Sequence, residues 1–575
     1  MADLIYKDLV ISEAFRKKDA IQKVLVYAPL AFWTPHFETD LEIAQRHLDL
    51  GDLVDIVVCD KALPGCQISA ANNVDICIGC ISRSLHGTNL LSGNYNVLHI
   101  SEYVNQESTV FEHIPKLFAN QNELRKYKYD GFDAGMAVLS SMIDFIKNTE
   151  VDTIKYASLI HTQILSSIKS YLAVLKILNL GKYQTVYIFN GRWSMMRSAV
   201  RACEKVGVNY YTHERGSDFT KFSLYKNTLP HNFKYTSDRT LLQWSLARYN
   251  NYSTNSGNDF FIERKNRIEK SWYSFTKSQK LYTLPDKWDD SSFKIVIYTS
   301  TELEYAAIDD NPLNTIYISQ IDGIKCLSKL ISTNIPSAHI WVRVHPNDDS
   351  EASKLIWESC FQSYSNVTII QPGSCVDSYS LFKNVYRVIT FGSTIGVEAT
   401  YWGCVVIALR ESPYSGIDAM YEPANECELI SLLTNSELKP KSKENAIKIG
   451  YFHYNIGDSF KYFLNKSGVF DLHYENLFKG HLLKPDLYVY KIEIYNLIKK
   501  QYYFKAIRLA ELYITKYPSD DYGYIIKLVS LIYLGNKLEC NNLLFYVRSI
   551  SHELFNSVCI KSEKLFRNNS ILNSS

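Results

Sequence analysis

Short apolar, β-branched runs recur along the chain, each followed by an amphipathic segment and then by another run. QKVLVYA (22–28) is the first of them. The stretch 38–50 then sets Leu41, Ile43, Ala44 and Leu48 at helical spacing and stops at Gly51, and LVDIVVC (53–59) follows. YNVLHIS (95–101) reads as a third strand, and a long helical pattern covers 154–178. TVYIFNGR (185–192), the amphipathic SMMRSAVRACEKVG (194–207) and VNYYTHERG (208–216) repeat strand, helix and strand.

Between about 240 and 290 the chain is polar and aromatic without strand periodicity, and reads as connection. The alternation then resumes with KIVIYTS (294–300), a helical segment at 314–331, HIWVRV (339–344) and a helix at 350–362. VTIIQP (367–372), a short helix at DSYSLFKN (377–384), YRVITF (386–391), the helix TIGVEATYW (394–402) and CVVIAL (404–409) complete it. Strands buried on both faces read as unbroken apolar runs, which is the mark of parallel sheets covered by helices. The pattern predicts an α/β protein of two Rossmann-like domains, 20–240 and 292–480, joined by a linker at 241–291. The tail, 481–575, is helical throughout. Within it 495–547, with Ala506, Ala510, Pro518 and a break at Gly535, resembles one degenerate tetratricopeptide-type hairpin and its neighbour. One such unit cannot bury its own face, so it is expected to cap the main body or to meet a protein partner.

Composition changes this picture little. A chain of 575 residues is too long for one core, and 46% hydrophobic with 21% charged residues is ordinary for a globular protein. The 62 basic and 60 acidic residues leave a formal charge of +2, which gives no global field for nucleic acid. MADLIYKDLVISEAFRKKDA lacks the apolar core of a signal peptide, and no stretch reads as 18 consecutive apolar residues. Twelve cysteines, mostly inside apolar runs, suit a reducing compartment. The expectation is a cytoplasmic protein, peripheral at most on the inner face of the membrane.

The chemistry gathers where strands end. In an open α/β sheet, ligands sit beyond the carboxyl ends of the strands, near the switch point. RVHPN (343–347) and ITFGSTIGVEATYWG (389–403) both break from an apolar run into small or polar residues. Ser393 and Thr394 stand at a helix start, where hydroxyls and unpaired N–H groups make an anion site; plain N-capping is the competing reading. His345 comes from the neighbouring strand end, and Glu398 falls one turn after Thr394.

YTSTELEYAAI (298–308), RVHPN and SYSLFKNVYRVITFGSTIGVEATYWG (378–403) together resemble the bacterial capsule-polysaccharide glycosyltransferases, including Kdo transferases, and the HP and Ser-Thr motifs of bacterial sialyltransferases. The resemblance implies the GT-B arrangement of two Rossmann domains and a nucleotide-sugar donor, often CMP-linked, held by the second half. Carried over, Arg343, His345, Ser393, Thr394, Ser300 and Glu302 would form the donor site, and Glu398 would take the ribose. The chain has FGST where many relatives have two serines, which keeps the hydroxyl chemistry. The acceptor and the catalytic carboxylate are then expected from the first half. There APLAFWTPHFETD (28–40), FNGRWS (189–194) and THERGSD (212–218) offer Glu214, Glu38, Asp40 and Asp218 as carboxylates. His36, Arg192, His213 and Arg215 are the candidate contacts to acceptor or phosphate.

Each carboxylate has a plainer reading: Glu214 as part of a satisfied ion-pair cluster, Glu38 and Asp40 as first-turn helix charges. Cys59, Cys66, Cys77 and Cys80 end in a C-x2-C step, but six residues separate the first pair, so zinc and core thiols both stay open. No DxD-type pair sits at a strand end, so transfer without a metal and without any other cofactor is expected. The partners implied are a nucleotide sugar and a lipid-linked or oligosaccharide acceptor. A teichoic-acid-type glycerophosphotransferase, a UDP-sugar 2-epimerase and a non-catalytic nucleotide-binding scaffold are the alternatives.

Overall fold

The computed structural model describes residues 13–16, 20–70, 72–104, 109–218, 220–247, 251–268, 276, 279–288, 293–308, 316–317, 319–348, 351–465, 472–474, 503–516, 518 and 520–572. Twelve strands carry its two main sheets. In the first half they are β1 (Lys23–Tyr27), β2 (Leu53–Val58), β3 (Tyr95–His99), β4 (Thr185–Phe189), β5 (Asn209–Arg215) and β6 (Lys221–Lys226). In the second they are β7 (Phe293–Tyr298), β8 (Ala338–Arg343), β9 (Val367–Ile370), β10 (Arg387–Thr390) and β11 (Val406–Ala408). β12 (Asp458–Ser459) follows them in the chain but belongs to the first sheet.

The first sheet runs β3-β2-β1-β4-β5-β6-β12 and the second β9-β8-β7-β10-β11. Within each, the first five strands are parallel and share one order: three strands wind outward one way, then the chain crosses back to start the other side. The switch points lie between β1 and β4 and between β7 and β10. All five residues of β4 are buried, as a strand covered by helices on both faces requires. The fold is therefore α/β with two Rossmann-type sheets, the GT-B arrangement, plus a helical C-terminal extension.

Helices lie where the periodicity places them, with small shifts of boundary: His36–Asp49, Ala157–Gly181, Ser194–Val206, Gln320–Asn334, Glu351–Phe361 and Thr394–Tyr401. Ser194–Val206 stops at Gly207, whose φ of 76° lets its N–H reach Cys203 O. Ala157–Gly181 is the one described helix long and apolar enough to cross a membrane, by length and composition alone. Over half of that window is buried, and its Ile160, Ile164 and Ile168 pack into the first half's core.

Two features depart from the expected layout. The stretch 241–291 is not plain connection: it contains the helix Asn251–Lys265, whose Gly257 lies against Ile447 of the helix Lys443–Asn455. Nor does the second half keep everything up to 480. After Asn455 the chain returns to the first sheet, where β12 pairs antiparallel with β6. Arg46 binds Asp458 at 2.7 Å, and the Glu42 carboxylate accepts from the backbone N–H groups of Lys461 and Tyr462 at 2.8 and 2.9 Å. Phe460 and Tyr462 fill the first half's core.

The tail folds as Tyr503–Lys516, Asp521–Tyr533, Lys537–Ile550 and His552–Leu572 around a core of its own, with Ala506, Ala510 and Tyr513 buried. Its four helices bury one another's faces, so the described residues supply the packing that a lone hairpin would lack. The boundary placed at 480, and the first residues of the helical pattern at 495–502, lie outside the described residues.

Candidate functional site

The carboxyl ends of the two parallel sheets meet. The loop after β7 crosses to the first half, where Arg125, Arg192 and Arg197 donate to the carbonyls of Ala306, Glu304 and Ile308 at 2.7, 3.4 and 2.6 Å. Tyr305 of this loop packs its ring against Phe233 and edge-on to His231, with centroids 4.8 and 5.8 Å apart.

On the second half, the expected donor residues come together around this loop. Thr299 Oγ1 accepts from the His345 backbone N–H at 2.8 Å, and the Thr301 hydroxyl lies 3.1 Å from His345 Nδ1. Nδ1 also accepts from the Asn347 N–H at 3.2 Å, so the ring proton belongs on Nε2. Burial holds the His345 pKa down at about 4, so the ring is a neutral donor at physiological pH. Ser300 donates to Phe391 O at 2.7 Å, tying the end of β7 to the turn after β10. In that turn Gly392 has φ 90°, and a Cβ there would stand 3.3 Å from Ser412 Cβ. Ser393 occupies the N-cap position of Thr394–Tyr401, but its side chain makes no capping bond, so plain N-capping does not explain its hydroxyl.

Three donor expectations need correction. Arg343 is buried and donates to the carbonyls of Gln371 and Ser374, at 2.9 and 3.4 Å; it props the loop after β9. Glu398 is 1% exposed and is held by Arg264 at 3.0 Å and by the Tyr379 hydroxyl, so both oxygens already have partners. Thr394 shares its hydroxyl with Tyr414 at 2.7 Å, which leaves the helix N-terminus rather than that side chain to face an anion. Glu302 faces Arg410 at 3.6 Å. Burial raises the Glu302 carboxyl while Arg410 pulls it back, and burial lowers Arg410 in turn.

On the first half, the four carboxylates separate sharply. Glu214 keeps 19% of its side chain accessible; Asn190 donates to it at 2.9 Å, and His36 Nε2 lies 3.4 Å away. Asp40 is buried on the helix His36–Asp49 and pairs with His213 Nε2 at 2.8 Å; burial raises its carboxyl, and His213 opposes this. Strand alternation explains the split, since 211, 213 and 215 point to one face of β5 and 214 to the other. Glu38 is 1% exposed and bound by Arg83, and Asp218 caps the β5–β6 turn by accepting from Thr220 N at 2.8 Å. Neither Glu38 nor Asp218 is placed for catalysis. His36 stacks on Phe189 with centroids 3.7 Å apart, and burial, then His213 and Arg215, push its pKa well below the ordinary value.

Arg410, Glu304 and Tyr305 escaped the sequence reading. Glu304 keeps an open surface, yet the protein crowded around it is the main cause of its raised carboxyl; Arg192 lowers it and Glu214 raises it again. An arginine directly after the last apolar run would have pointed to Arg410. Cys59, Cys66, Cys77 and Cys80 are free thiols raised chiefly by burial, Cys80 to about 12, and among the described residues no group of three ligands is set to hold a metal.

No family model matches the chain, and no curated protein matches it. Among solved structures it is similar to the KpsC β-Kdo 2,4-transferase of Thermosulfurimonas dismutans, at 16% identity and a TM-score of 0.30, over 44% of this chain and 79% of that one. It is also similar to the UDP-GlcNAc 2-epimerase of Neisseria meningitidis bound to UDP-GlcNAc (12%, 0.24, 74% and 98%). A third is the glycosyltransferase SsfS6 of Streptomyces sp. SF2575 complexed with thymidine diphosphate (9%, 0.21, 76% and 96%). At such identities and scores none of them bears on which reaction this chain performs.

Proposed function

We propose that this chain is a glycosyltransferase. It moves a sugar from a nucleotide-sugar donor, CMP-linked by first choice, to a hydroxyl of a growing bacterial surface polysaccharide, without a metal, at the inner face of the cytoplasmic membrane. The observation that carries this reading is the meeting of two switch points with unlike chemistry. His345, Ser300, Thr301 and the N-terminus of Thr394–Tyr401 stand on one side, and Glu214 with His36 and Asn190 on the other. A donor phosphate fits the first set, where the neutral His345 donates through Nε2 and the helix start supplies N–H groups. Glu214, accessible at the end of β5 and contacted by His36 and Asn190, takes the proton of the acceptor hydroxyl. The acceptor oxygen then bonds to the anomeric carbon as the carbon–oxygen bond to phosphate breaks, and the nucleotide leaves with that electron pair.

The test is to incubate the full chain with CMP-linked and UDP-linked sugars, with and without an oligosaccharide acceptor. Nucleotide release that requires the acceptor supports the reading. Interconversion of UDP-sugar epimers without acceptor would make the chain an epimerase, and no affinity for any nucleotide would remove the enzyme altogether.

A further inference from the structure

Arg192 follows the end of β4, at the first half's switch point, and is 6% exposed. Its polar contacts are poor for a buried cation. Nη1 donates to Glu304 O at 3.4 Å, the guanidinium lies over the Trp193 ring at 4.7 Å, and Nε has no acceptor among the described residues. Glu304 draws on it electrostatically, but no carboxylate lies within ion-pair distance among the described residues. Nearby Arg197 shows the contrast: Asp133 holds it through Nε and Nη2 at 3.0 and 2.5 Å. A buried guanidinium with no carboxylate in direct contact is costly to desolvate unless something anionic completes it.

Its neighbours lack the same thing. Trp193 Nε1 is buried without an acceptor, and an indole N–H can only donate. The 13-residue helix Ser194–Val206 starts at the next residue; its first N–H, that of Ser194, donates to Ser141 Oγ at 2.9 Å, Trp193 as the cap makes no side-chain bond, and the first turn holds no acidic residue. His231 Nδ1 is buried and unpartnered, and burial, then Arg192 and Arg197, hold that ring down at about 3. Two donors without acceptors and a helix start without a carboxylate, all among the described residues, ask for one kind of ligand, which offers acceptors and carries negative charge.

We infer that Arg192, Trp193 and the N-terminus of Ser194–Val206 form an anion socket on the first half that takes a carboxylate or phosphate group of the acceptor. It is separate from the donor-phosphate residues around His345. The socket rests on the transferase reading only in calling the bound molecule the acceptor. A sugar acid and a phosphorylated sugar offer the same oxygen chemistry, so two probes tell them apart.

The experiment titrates the full chain by calorimetry with inorganic phosphate and, separately, with glucuronate, in the parent, in Arg192→Met and in His345→Ala. In the parent at least one probe should bind saturably. Arg192→Met should weaken that binding at least tenfold, while His345→Ala leaves it unchanged. Preference for glucuronate marks a carboxylate acceptor, and preference for phosphate a phosphorylated one. Arg192→Lys, which keeps the charge but loses the planar fork, should recover part of the affinity. Nucleotide affinity measured on the same Arg192→Met sample should match the parent. If no nucleotide binds at all, the donor assignment fails while the socket stands. If the parent binds neither probe, or Arg192→Met binds as the parent does, the socket is overturned.

Discussion

The two parallel sheets share one strand order, yet their carboxyl ends are furnished in opposite ways. Around β7, β8 and β10 hydroxyls and a neutral histidine are tied to one another and to the backbone, and the charged groups there, Arg343 and Glu302, already face partners. Around β1, β4 and β5 the side chains are ionisable: Glu214, His36, Arg192 and the Asp40–His213 pair, several with buried nitrogens that no described residue satisfies. Backbone N–H groups and hydroxyls hold a phosphate without changing protonation state, which suits an end that must bind and release. Around β1, β4 and β5 burial lowers the proton affinity of His36 and raises that of Asp40, which suits an end that must move a proton. In the proposed reaction, one scaffold used twice thus separates holding from reacting.

Removing the charge at the reacting end should have the largest effect. Glu214→Gln keeps the shape, so turnover should fall by roughly 10²-fold or more while nucleotide affinity persists. Steady-state kinetics and a nucleotide titration on one preparation check both halves of that statement. Normal turnover would move the base to Glu304, another carboxylate between the halves, and Glu304→Gln should then be the dead variant.

At the holding end, His345→Ala should weaken nucleotide binding by about 1.5–3 kcal/mol, the scale of a charge-assisted hydrogen bond, and leave thermal unfolding close to the parent's. Ser393→Ala should cost less, because one hydroxyl is lost and the helix N–H groups remain. Equal nucleotide affinity in both variants and the parent would erase the distinction between the two ends.

A smaller effect comes with acid. His36 and His231 on the first half and His345 and His453 on the second all have pKa values lowered by burial, the last three to about 3, 4 and 4. Below about pH 6.5 the unfolded chain takes up protons that these folded rings refuse, so this part of the stability is present at neutral pH and is lost as pH falls toward 4. Buried carboxyls such as Asp40, raised rather than lowered, act in the opposite sense, so single variants are the clean comparison. His231→Gln should lose less stability than the parent between pH 6.5 and 4, by up to about 1.4 kcal/mol per pH unit for one proton. Urea midpoints at several pH values would show it.

The smallest expected effect is in the tail. A chain ended before Tyr503 should bind nucleotide as the parent does, because the tail's buried residues pack on one another. Loss of nucleotide binding would join the tail to the catalytic body.

How much of this was legible depended on what each residue touches. The parallel strands were readable because burial on both faces leaves an unbroken apolar run. The helix Asn251–Lys265 was not, because it packs through Gly257 against Ile447 and the backbone around Gly450, and a glycine contact writes no apolar stripe. β12, two residues long, had no pattern to show. Position at strand ends singled out Glu214, His36, Arg192 and His345, and each stands at or just beyond the end of a parallel strand or in the first turn after one. It could not tell Glu214 from Glu38, because Arg83, which engages Glu38, lies 45 residues further on. The same limit hid the Arg264 and Tyr379 partners of Glu398.

The return of the chain to the first sheet sets an order of assembly. Gly457, at φ 98° and with no room for a Cβ against Phe222 O, lets the backbone turn into β12 beside the end of β5 that carries Glu214 and Arg215. Ser217, two residues beyond Arg215, donates its backbone N–H to Ile456 O at 2.8 Å. As the chain leaves the ribosome, the first sheet waits with the β6 edge uncovered and the loop beyond Arg215 unbraced until Tyr462 has been made. The nascent first half is an unfinished unit, and its reacting end takes its final form only after the second half has been synthesised.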